Sequence, residues 1–308
     1  MNRQSIFNTS RSPYLFITPY FFLYIVFGLF PIMFSFYISL TNWKLSGEKV
    51  FVGIKNYIDI FTKDILFWKA IMNTLLFMAE ALPLLLIGGL LMAVLVNSKL
   101  IKHRGFFQLA NFLPYVITPV AIGLIFALLF DTSVGVVNKL LIATGMYSEG
   151  IYWLGEPAYC RLIVGFIIVW KYMGYNMTMY LAGLAGIPIE LYEAATVDGA
   201  SPWQEFLYVT VPKIRPVLLF LLITDIIGGF QIFEEPLMLF ADSTGSVTGS
   251  IGGPDRSCLT GVMYLYDTAF GNSMRYGTGS AIAYAIFLFI LIFSIIGFKI
   301  STSGGEET

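Results

Sequence analysis

The sequence has few charged residues. Asp, Glu, Lys and Arg make up 12% of its 308 positions, whereas about 25% is usual in soluble domains. Hydrophobic residues account for 57% and aromatic residues for 17%. Charge is scarce when most of a chain lies where ions are poorly solvated, and about 20 consecutive apolar residues are enough to cross a bilayer. The composition therefore predicts an integral membrane protein in contact with lipid.

Histidine and cysteine are also scarce. His103 is the single histidine, and the two cysteines, Cys160 and Cys258, lie in different regions of the sequence. These counts exclude a histidine-based metal site or catalytic triad within the chain, and they indicate neither a zinc cluster nor a disulfide framework. We expect two unpaired thiols. The net charge of −1 gives no basic footprint for nucleic acid.

Long apolar runs are what the sequence does have. They do not alternate as the strands of a β-barrel would, and a segment inside lipid must satisfy its own backbone, so we predict helices. The first run is too long for the core of a signal peptide, and no small-x-small cleavage site follows it. The predicted all-α fold has six transmembrane helices, at Tyr14–Leu40, Ala70–Asn97, Phe106–Phe130, Ala158–Leu184, Val217–Phe240 and Tyr276–Phe298.

The predicted organisation is a single membrane domain. Residues 14–299 form that domain, residues 1–13 are a short lead and residues 300–308 are a tail. Lysine and arginine are concentrated in the tight connector between the second and third runs, at 99–104. Positive charge in short loops favours the cytoplasmic side. Both termini are therefore predicted to be cytoplasmic.

The segment between the fourth and fifth runs carries local helix signals. Pro188 suits a helix start, and Gly199 supplies a stop just past a helix end. Ser201 and Gln204 then form a capping box around a second start, and Val211-Pro212 is expected to end this second piece. The segment is predicted to be a helix, a glycine turn and a second helix.

The faces of this segment allow two interpretations. Trp203 begins an apolar face at helical spacing, while Ala194 and Ala195 leave a smooth surface flanked by Glu193 and Asp198. One interpretation is an ordinary connector that packs on its own helices. The other is a compact knob that enters another protein.

The order of motifs along the chain resembles a known family. The spacing of Glu193-Ala194-Ala195, Asp198-Gly199-Ala200 and Val211-Pro212 is similar to the EAA loop of permease subunits in binding-protein-dependent ABC importers. Further stretches resemble the larger permease of maltose and glycerol-phosphate importers, over about Tyr14 to Lys299: Tyr14–Pro19, Phe51–Tyr57, Asn73-Thr74, Leu181–Leu184 before Ile187-Pro188, Gly252–Pro254 and Tyr264–Tyr266.

The resemblance implies a fold and a set of partners. The fold would be that of a type I ABC importer permease, with cytoplasmic coupling helices at 188–212 between helices 4 and 5. The implied partners are a second permease of the same fold, two copies of an ABC ATPase and an extracytoplasmic solute-binding protein, in the cell membrane of a prokaryote. The residues implied to contact the ATPase are Glu193, Ala194, Ala195, Asp198, Gly199, Ala200 and Trp203.

The implied function is uptake of a sugar or oligosaccharide by alternating access. The chain has no G-x-x-x-x-G-K-[ST] phosphate loop, so we expect ATP and Mg to be bound by the ATPase partners, with no cofactor, metal or catalytic residue in this chain. A secondary carrier would explain buried charges but not the capped segment, and no matching broken helices indicate inverted repeats. A membrane-embedded enzyme lacks paired metal ligands such as H-E-x-x-H.

Ionisable residues inside the predicted spans mark candidate pathways, because each costs on the order of 3 kcal/mol unless it is paired or wet. A rise of about 1.5 Å per residue puts Lys171 and Asp225 at similar depth. We expect them to form an ion bridge, with a cavity-facing role for either as the alternative. The ionisable residues in predicted spans are Glu80, Lys171, Asp225, Glu234 and Glu235.

Aromatic and polar residues near the fourth and fifth spans are candidates for sugar contact. Aromatic faces cover the C–H surface of a sugar, and carboxylates and amides bond to its hydroxyls. The alternative is that the aromatics pack helices and the acids line a wet vestibule. The resemblance also implies a sugar site on these two spans. The candidates are Tyr175, Asn176, Gln231, Glu234 and Glu235.

One stretch departs from the family pattern. The link at 241–251 is longer than the short threonine-containing link usual before Gly252-Gly253-Pro254. We expect a flexible insert there.

Overall fold

The computed structural model describes residues 12–98, 101–241 and 251–303. These ranges are helical apart from irregular loops and an isolated antiparallel bridge between Thr41 and Phe51. The helices are α1 (Ser12–Tyr24), α2 (Phe30–Ser39), α3 (Lys55–Lys63), α4 (Ile65–Pro83), α5 (Gly89–Asn97), α6 (Arg104–Val116), α7 (Pro119–Leu129), α8 (Val136–Ala143), α9 (Pro157–Ala185), α10 (Ile189–Val197), α11 (Pro202–Glu205), α12 (Val211–Phe230), α13 (Glu234–Leu239), α14 (Gly261–Phe270) and α15 (Tyr276–Ser303). Three pairs of helices, α1 with α2, α4 with α5 and α11 with α12, are joined by π-helical stretches at Ile25–Leu29, Leu84–Gly88 and Phe206–Thr210.

The helices long and apolar enough to cross a membrane agree with the predicted six spans. Five are single rods, and the sixth span is the pair α6 and α7. The single rods are Phe16–Ser39, Ile65–Asn97, Pro157–Ala185, Pro202–Phe230 and Tyr276–Ile300.

The third span is bent, whereas the sequence predicted one helix over Phe106–Phe130. α6 and α7 meet at 96°. Ile117 and Thr118 between them have extended backbone, with ψ of 137° and 140°. Pro119 follows and begins α7. Proline disfavours a helical conformation in the residue before it, so the helix breaks here and restarts at the proline.

The fifth span begins earlier and ends earlier than the predicted Val217–Phe240. α11, the π-helical stretch and α12 form one helix over Pro202–Phe230. The expected stop at Val211-Pro212 is wrong, because the wider π turn lies just before the proline and Val211 donates its amide to the carbonyl of Phe206. The helix stops at Phe230, and α13 follows after a three-residue break.

The chain divides into two compact units. Described residues up to 64 form the first unit with Leu265–Ala285, where the Asn56 amide donates to the backbone carbonyls of Ser39 and Thr41 at 2.7 and 2.8 Å. The second unit is Ile65–Tyr264 with the rest of α15. The last helix reaches Ser303, inside the predicted tail, while residues 1–11, 304–308 and most of the 241–251 link (242–250) lie outside the described residues.

The core of the second unit lies where α4, α7 and α9 meet. Its buried side chains include Phe77, Ile122, Phe126 and Ile167. α6 also packs on α9 at backbone distance: a Cβ at Gly174 would lie 1.8 Å from the carbonyl oxygen of Asn111. Only glycine permits that approach, which brings the end of α6 close to the middle of α9.

Candidate functional site

The 188–212 loop is ordered by a glycine turn between α10 and α11. Gly199 has φ of +79°, which L side chains rarely adopt. Its amide donates to the carbonyl of Thr196 at 3.1 Å, and the Ala200 amide donates to that of Ala195 at 2.9 Å. These two bonds form a Schellman motif, so the predicted helix stop is confirmed.

The start of α11 has the predicted capping box. The Gln204 amide donates to the Ser201 hydroxyl at 3.4 Å, and the Ser201 amide donates to the Gln204 side-chain oxygen at 2.8 Å. Pro202 is the first residue of the helix, where its missing N–H leaves no hydrogen bond unmade. The second helix therefore starts from a fixed point.

Two side-chain contacts tie the helices of the loop together. The Thr196 hydroxyl donates to the Glu205 carboxylate at 3.1 Å, and the hydroxyls of Tyr192 and Thr210 are 3.0 Å apart. Both contacts join α10 to the helix that begins at Pro202. The two helices of the loop are thus linked to each other and form a single structural unit.

The residues implied to contact the ATPase lie at the surface of this loop. α10 has no buried residue, and Trp203 is 64% exposed. Val197, which the sequence analysis did not select, is 87% exposed. Ile189 and Tyr208 are exposed as well, and several exposed apolar residues in one short segment are typical of a surface that contacts another protein. The predicted residues, each exposed or half-buried, are Glu193, Ala194, Ala195, Asp198, Gly199, Ala200 and Trp203.

A cavity of about 230 Å³ lies within the second unit. It is surrounded by α4, α6, α9 and α12, and its surface is mostly apolar with a few hydroxyls and one carboxylate. The lining residues are Met78, Ala81, Leu82, Leu85, Tyr115, Ile168, Tyr172, Tyr175, Thr224, Asp225, Gly228, Gly229 and Ile232.

Three tyrosines form one wall of the cavity. The rings of Tyr115 and Tyr175 are stacked, with centroids 5.0 Å apart and planes at 23°. Tyr172 meets Tyr115 edge to face at 5.9 Å. Sequence analysis missed Tyr115 as a site residue, because its place depends on the contact between α6 and α9 and no local pattern marks it.

Asp225 supplies the carboxylate of the cavity. The Asn176 amide donates to it at 3.2 Å. The Asn176 side chain is fully buried, and its own oxygen has no hydrogen-bond partner in the described part of the chain. Asn176, which does not line the cavity, therefore orients Asp225 by this hydrogen bond. The carboxylate can still accept further hydrogen bonds from a ligand.

The predicted ion bridge between Lys171 and Asp225 is wrong. Lys171 instead contacts Glu235 at 2.6 Å, and the Tyr172 hydroxyl donates to the same carboxylate oxygen at 2.8 Å. The lysine and glutamate side chains are 8% and 4% exposed. The break after Phe230 turns α13 back toward α9 and brings Glu235 to the lysine, which a helix continuing to residue 240 would not do.

The five candidate sugar contacts fall in three places. Tyr175 lines the cavity, and Asn176 lies behind its wall. Glu235 is in the ion pair with Lys171. Gln231 and Glu234 are exposed at the end of α12 and the start of α13, outside the cavity lining. The structure therefore brings two of the five together with Asp225.

Comparison with known proteins gives a family match over most of the chain. A family model described as "Binding-protein-dependent transport system inner membrane component" matches residues 66–299. The chain is 35% identical to the arabinooligosaccharides transport system permease protein AraP of Bacillus subtilis, over 98% of this chain and 92% of AraP. It is 34% identical to the lactose transport system permease protein LacF of Rhizobium radiobacter, over 92% of each.

More distant relatives extend the match. The trehalose/maltose transport system permease protein MalF of Thermococcus litoralis is 30% identical, over 96% of this chain and 95% of that protein. Among solved structures, a chain of a bacterial ABC transporter involved in the import of the acidic polysaccharide alginate has a TM-score of 0.79 at 24% identity, covering 95% of this chain and 96% of that chain. This likeness confirms the predicted fold.

Proposed function

The chain belongs to the family of binding-protein-dependent transport system inner membrane components, and from this we propose that it is the permease subunit of an ATP-driven ABC importer for a sugar or oligosaccharide. The relatives named for lactose, arabinooligosaccharides and trehalose/maltose support the sugar class. The observation that carries the transport mechanism is the helix over Pro202–Phe230, which has the exposed loop at one end and the cavity wall near the other.

The proposed topology follows from six spans and the positive-inside bias. The termini, the connector at 98–103 and the 188–212 loop share one side. We assign this side to the cytoplasm because the short connector is rich in lysine and arginine. The segments at 40–64, 130–156 and 231–275 then face outward, where they meet the solute-binding protein. The chain is a multi-pass protein of a prokaryotic cell membrane.

The 188–212 loop is the proposed contact with the ATPase. Two ATPase copies serve this chain and a second permease of the same fold, and one of them receives the loop in a surface cleft. Val197 and Trp203 supply apolar contact area, while Glu193 and Asp198 supply negative charge for a basic partner residue. ATP and Mg are bound by the ATPases. The Schellman turn and capping box support this role, because they fix the shape before contact.

Movement of the loop is transmitted along one rod. The 29 residues of Pro202–Phe230 extend about 40 Å at the usual helical rise. Thr224, Asp225, Gly228 and Gly229 on this helix line the cavity. Closure of the ATPases displaces the first turn, and the cavity wall moves with it because Pro202–Phe230 is one continuous helix. The cavity thereby opens to the binding protein, and ATP hydrolysis returns it to the inward-open state.

The cavity has the chemistry of a sugar site. The stacked Tyr115 and Tyr175 offer ring faces to the C–H surface of a pyranose, and Asp225 accepts from its hydroxyls. Asn176 orients Asp225. We retain Gln231 and Glu234 as contacts on the entry route from the outer side, because both are exposed beyond the cavity.

The experiment is ATP hydrolysis by the complete assembly in proteoliposomes, with and without sugar-loaded binding protein. Gly199→Arg introduces a large side chain and a strained backbone at the loop, and we expect at least a tenfold loss of stimulated hydrolysis, with the ATPases released or uncoupled.

The matched control is Gly145→Arg. Gly145 also has positive φ, +71°, and like Gly199 it has no neighbouring atom within 4 Å, but it follows α8 on the opposite side in the proposed topology. This variant should retain its ATPases. Normal stimulation and uptake in Gly199→Arg would show that the loop is only a connector.

A further inference from the structure

Two cysteines meet at the end of α9 that lies away from the 188–212 loop. Cys160 is in the first turn of α9, and Cys258 is in the 251–260 segment that precedes α14. Their Sγ atoms are 3.4 Å apart, although 98 positions separate them in the sequence. Both side chains are fully buried. Both thiols are free in the structure, as expected, but they are in contact although they lie in different regions of the sequence.

The 251–260 segment is held in place on the α9 side. The Arg161 Nε donates to the Ser257 carbonyl at 3.1 Å, and the Ser257 hydroxyl lies 3.1 Å from the Cys160 sulfur. Within the segment, the Cys258 amide donates to the Gly252 carbonyl at 2.9 Å. The two sulfurs are therefore presented to each other by ordered backbone.

The same segment is also held on its other sides. The Asn73 amide of α4 donates to the carbonyls of Arg256 and Leu259, each at 3.0 Å. The Thr260 hydroxyl donates to the Ile232 carbonyl in the break after α12, at 2.6 Å. Bonds to α4, to α9 and to the 231–233 break fix the position of Cys258, so the sulfur contact does not depend on one flexible side chain.

We propose that Cys160 and Cys258 form a structural disulfide that joins the first turn of α9 to the 251–260 segment. A disulfide S–S bond is about 2.05 Å long, so sulfurs 3.4 Å apart need to approach by about 1.35 Å more. The inference rests on the proposed topology, which places both residues at the outer side of the membrane. Disulfides form and persist in oxidising extracytoplasmic environments.

The bond forms by exchange with a disulfide oxidant, either a small-molecule disulfide or a thiol–disulfide oxidoreductase, before the segment closes over the sulfurs. One cysteine thiolate attacks the oxidant, forms a mixed disulfide and releases one oxidant thiol. The second cysteine thiolate attacks the first cysteine sulfur and releases the other oxidant thiol. The two cysteines lose two protons and two electrons, and the oxidant disulfide becomes two thiols.

The bond is structural rather than a switch. The segment that carries Cys258 is already fixed to α4 and α9 by hydrogen bonds, so a covalent link there restrains no movement that the transport cycle needs. Burial then shields the bond from reductants. We expect the oxidised assembly to transport normally and to lose activity more slowly on heating than the reduced assembly.

The test counts thiols in the assembly isolated from cell membranes. The sample is quenched in acid, denatured and treated with polyethylene-glycol maleimide, with or without prior reduction. Because the chain has two cysteines, we expect no adduct without reduction and two after it, and mass spectrometry should find the Cys160 and Cys258 peptides joined. Cys160→Ser and Cys258→Ser should each give one adduct after reduction.

Two results would overturn the proposal. Two adducts on the unreduced native chain would show that the thiols are free. If the oxidised assembly did not take up sugar and reduction restored uptake, the bond would be a redox switch and not a structural disulfide. The thiol count needs no ATP hydrolysis. A chain that fails the coupling test can therefore still carry the bond, and the two proposals can fail separately.

Discussion

Two acids beside the cavity differ in how their charge is compensated. Glu235 accepts from the Lys171 ammonium at 2.6 Å and from the Tyr172 hydroxyl at 2.8 Å. Asp225 accepts from the Asn176 amide at 3.2 Å and faces the cavity. A carboxylate with a cation at contact distance fastens α13 to α9, whereas a carboxylate with one neutral partner retains capacity for a ligand. Under the proposed function, the Glu235 region therefore holds the structure together and the Asp225 region binds the sugar.

The largest effect is expected from removing the cation. Lys171→Met leaves Glu235 buried without a counter-charge, and breaking such a pair costs about 3–5 kcal/mol. The expected result is loss of assembled permease from the membrane or rapid inactivation in detergent, measured by co-purification of the partner subunits after mild heating.

The double variant Lys171→Met with Glu235→Met is the control for this change. It replaces both charges by apolar side chains of similar length, which is often close to neutral, so most of the assembly should return. A single variant as stable as the native chain would show that the pair has no structural role.

A smaller effect is expected at the other acid. Asp225→Asn keeps the shape of the side chain and removes the charge, so assembly should be unchanged. Uptake should fall about ten- to hundredfold, which corresponds to the roughly 1.5–3 kcal/mol of a hydrogen bond to a charged group. Sugar uptake into proteoliposomes measures it.

Asp59→Asn is the matched control, because Asp59 is an exposed acid on α3 in the first unit, paired with Lys63. Its pKa is lowered chiefly by the hydrogen bond from Lys63. Uptake should not change in this variant. If Asp225→Asn also transports at the native rate, the cavity carboxylate does not contact the sugar. The proposed difference between a structural Glu235 and a sugar-binding Asp225 would then be wrong.

The smallest expected effect concerns the aromatic wall of the cavity. Tyr115→Phe keeps the stacked face and should transport within about twofold of native. Tyr115→Ala removes the proposed ring face for the sugar and also the stacked pair with Tyr175, itself worth about 0.5–1.5 kcal/mol, so the apparent affinity for sugar should weaken severalfold. Equal affinities in the two variants would show that the ring face is not used.

Local signals were enough to predict the 188–212 loop. The turn at Gly199 and the cap formed by Ser201 and Gln204 depend on residues within a few positions of one another, and the structure has both. The predicted stop at Pro212 was wrong. Proline has no amide hydrogen to donate, but the helix continues through it because a π-helical stretch precedes it and the Val211 amide donates to the Phe206 carbonyl. A proline alone does not reveal that compensation.

The cavity residues were harder to predict from the sequence, because the positions of the helix breaks determine which side chains come into contact. Lys171 and Asp225 have similar depth on unbroken helices, but the break at 231–233 gives the lysine a different partner. Tyr115 enters the cavity because α6 ends just after it and packs on Gly174. The proximity of Cys160 and Cys258 likewise depends on a loop held by Asn73 and Arg161, both of which are far from Cys258 in sequence.

The bend between α6 and α7 has a consequence for hydration. The last carbonyls of α6 and the first amides of α7 have no partners within their helices, and hydrocarbon cannot satisfy them. Such backbone is tolerated at membrane depth where protein or water supplies the missing bonds. Tyr115, in the last turn of α6, lines the cavity. The carbonyls at the end of α6 therefore lie beside the cavity, and under the proposed function water or a sugar in the cavity supplies the hydrogen bonds that hydrocarbon cannot.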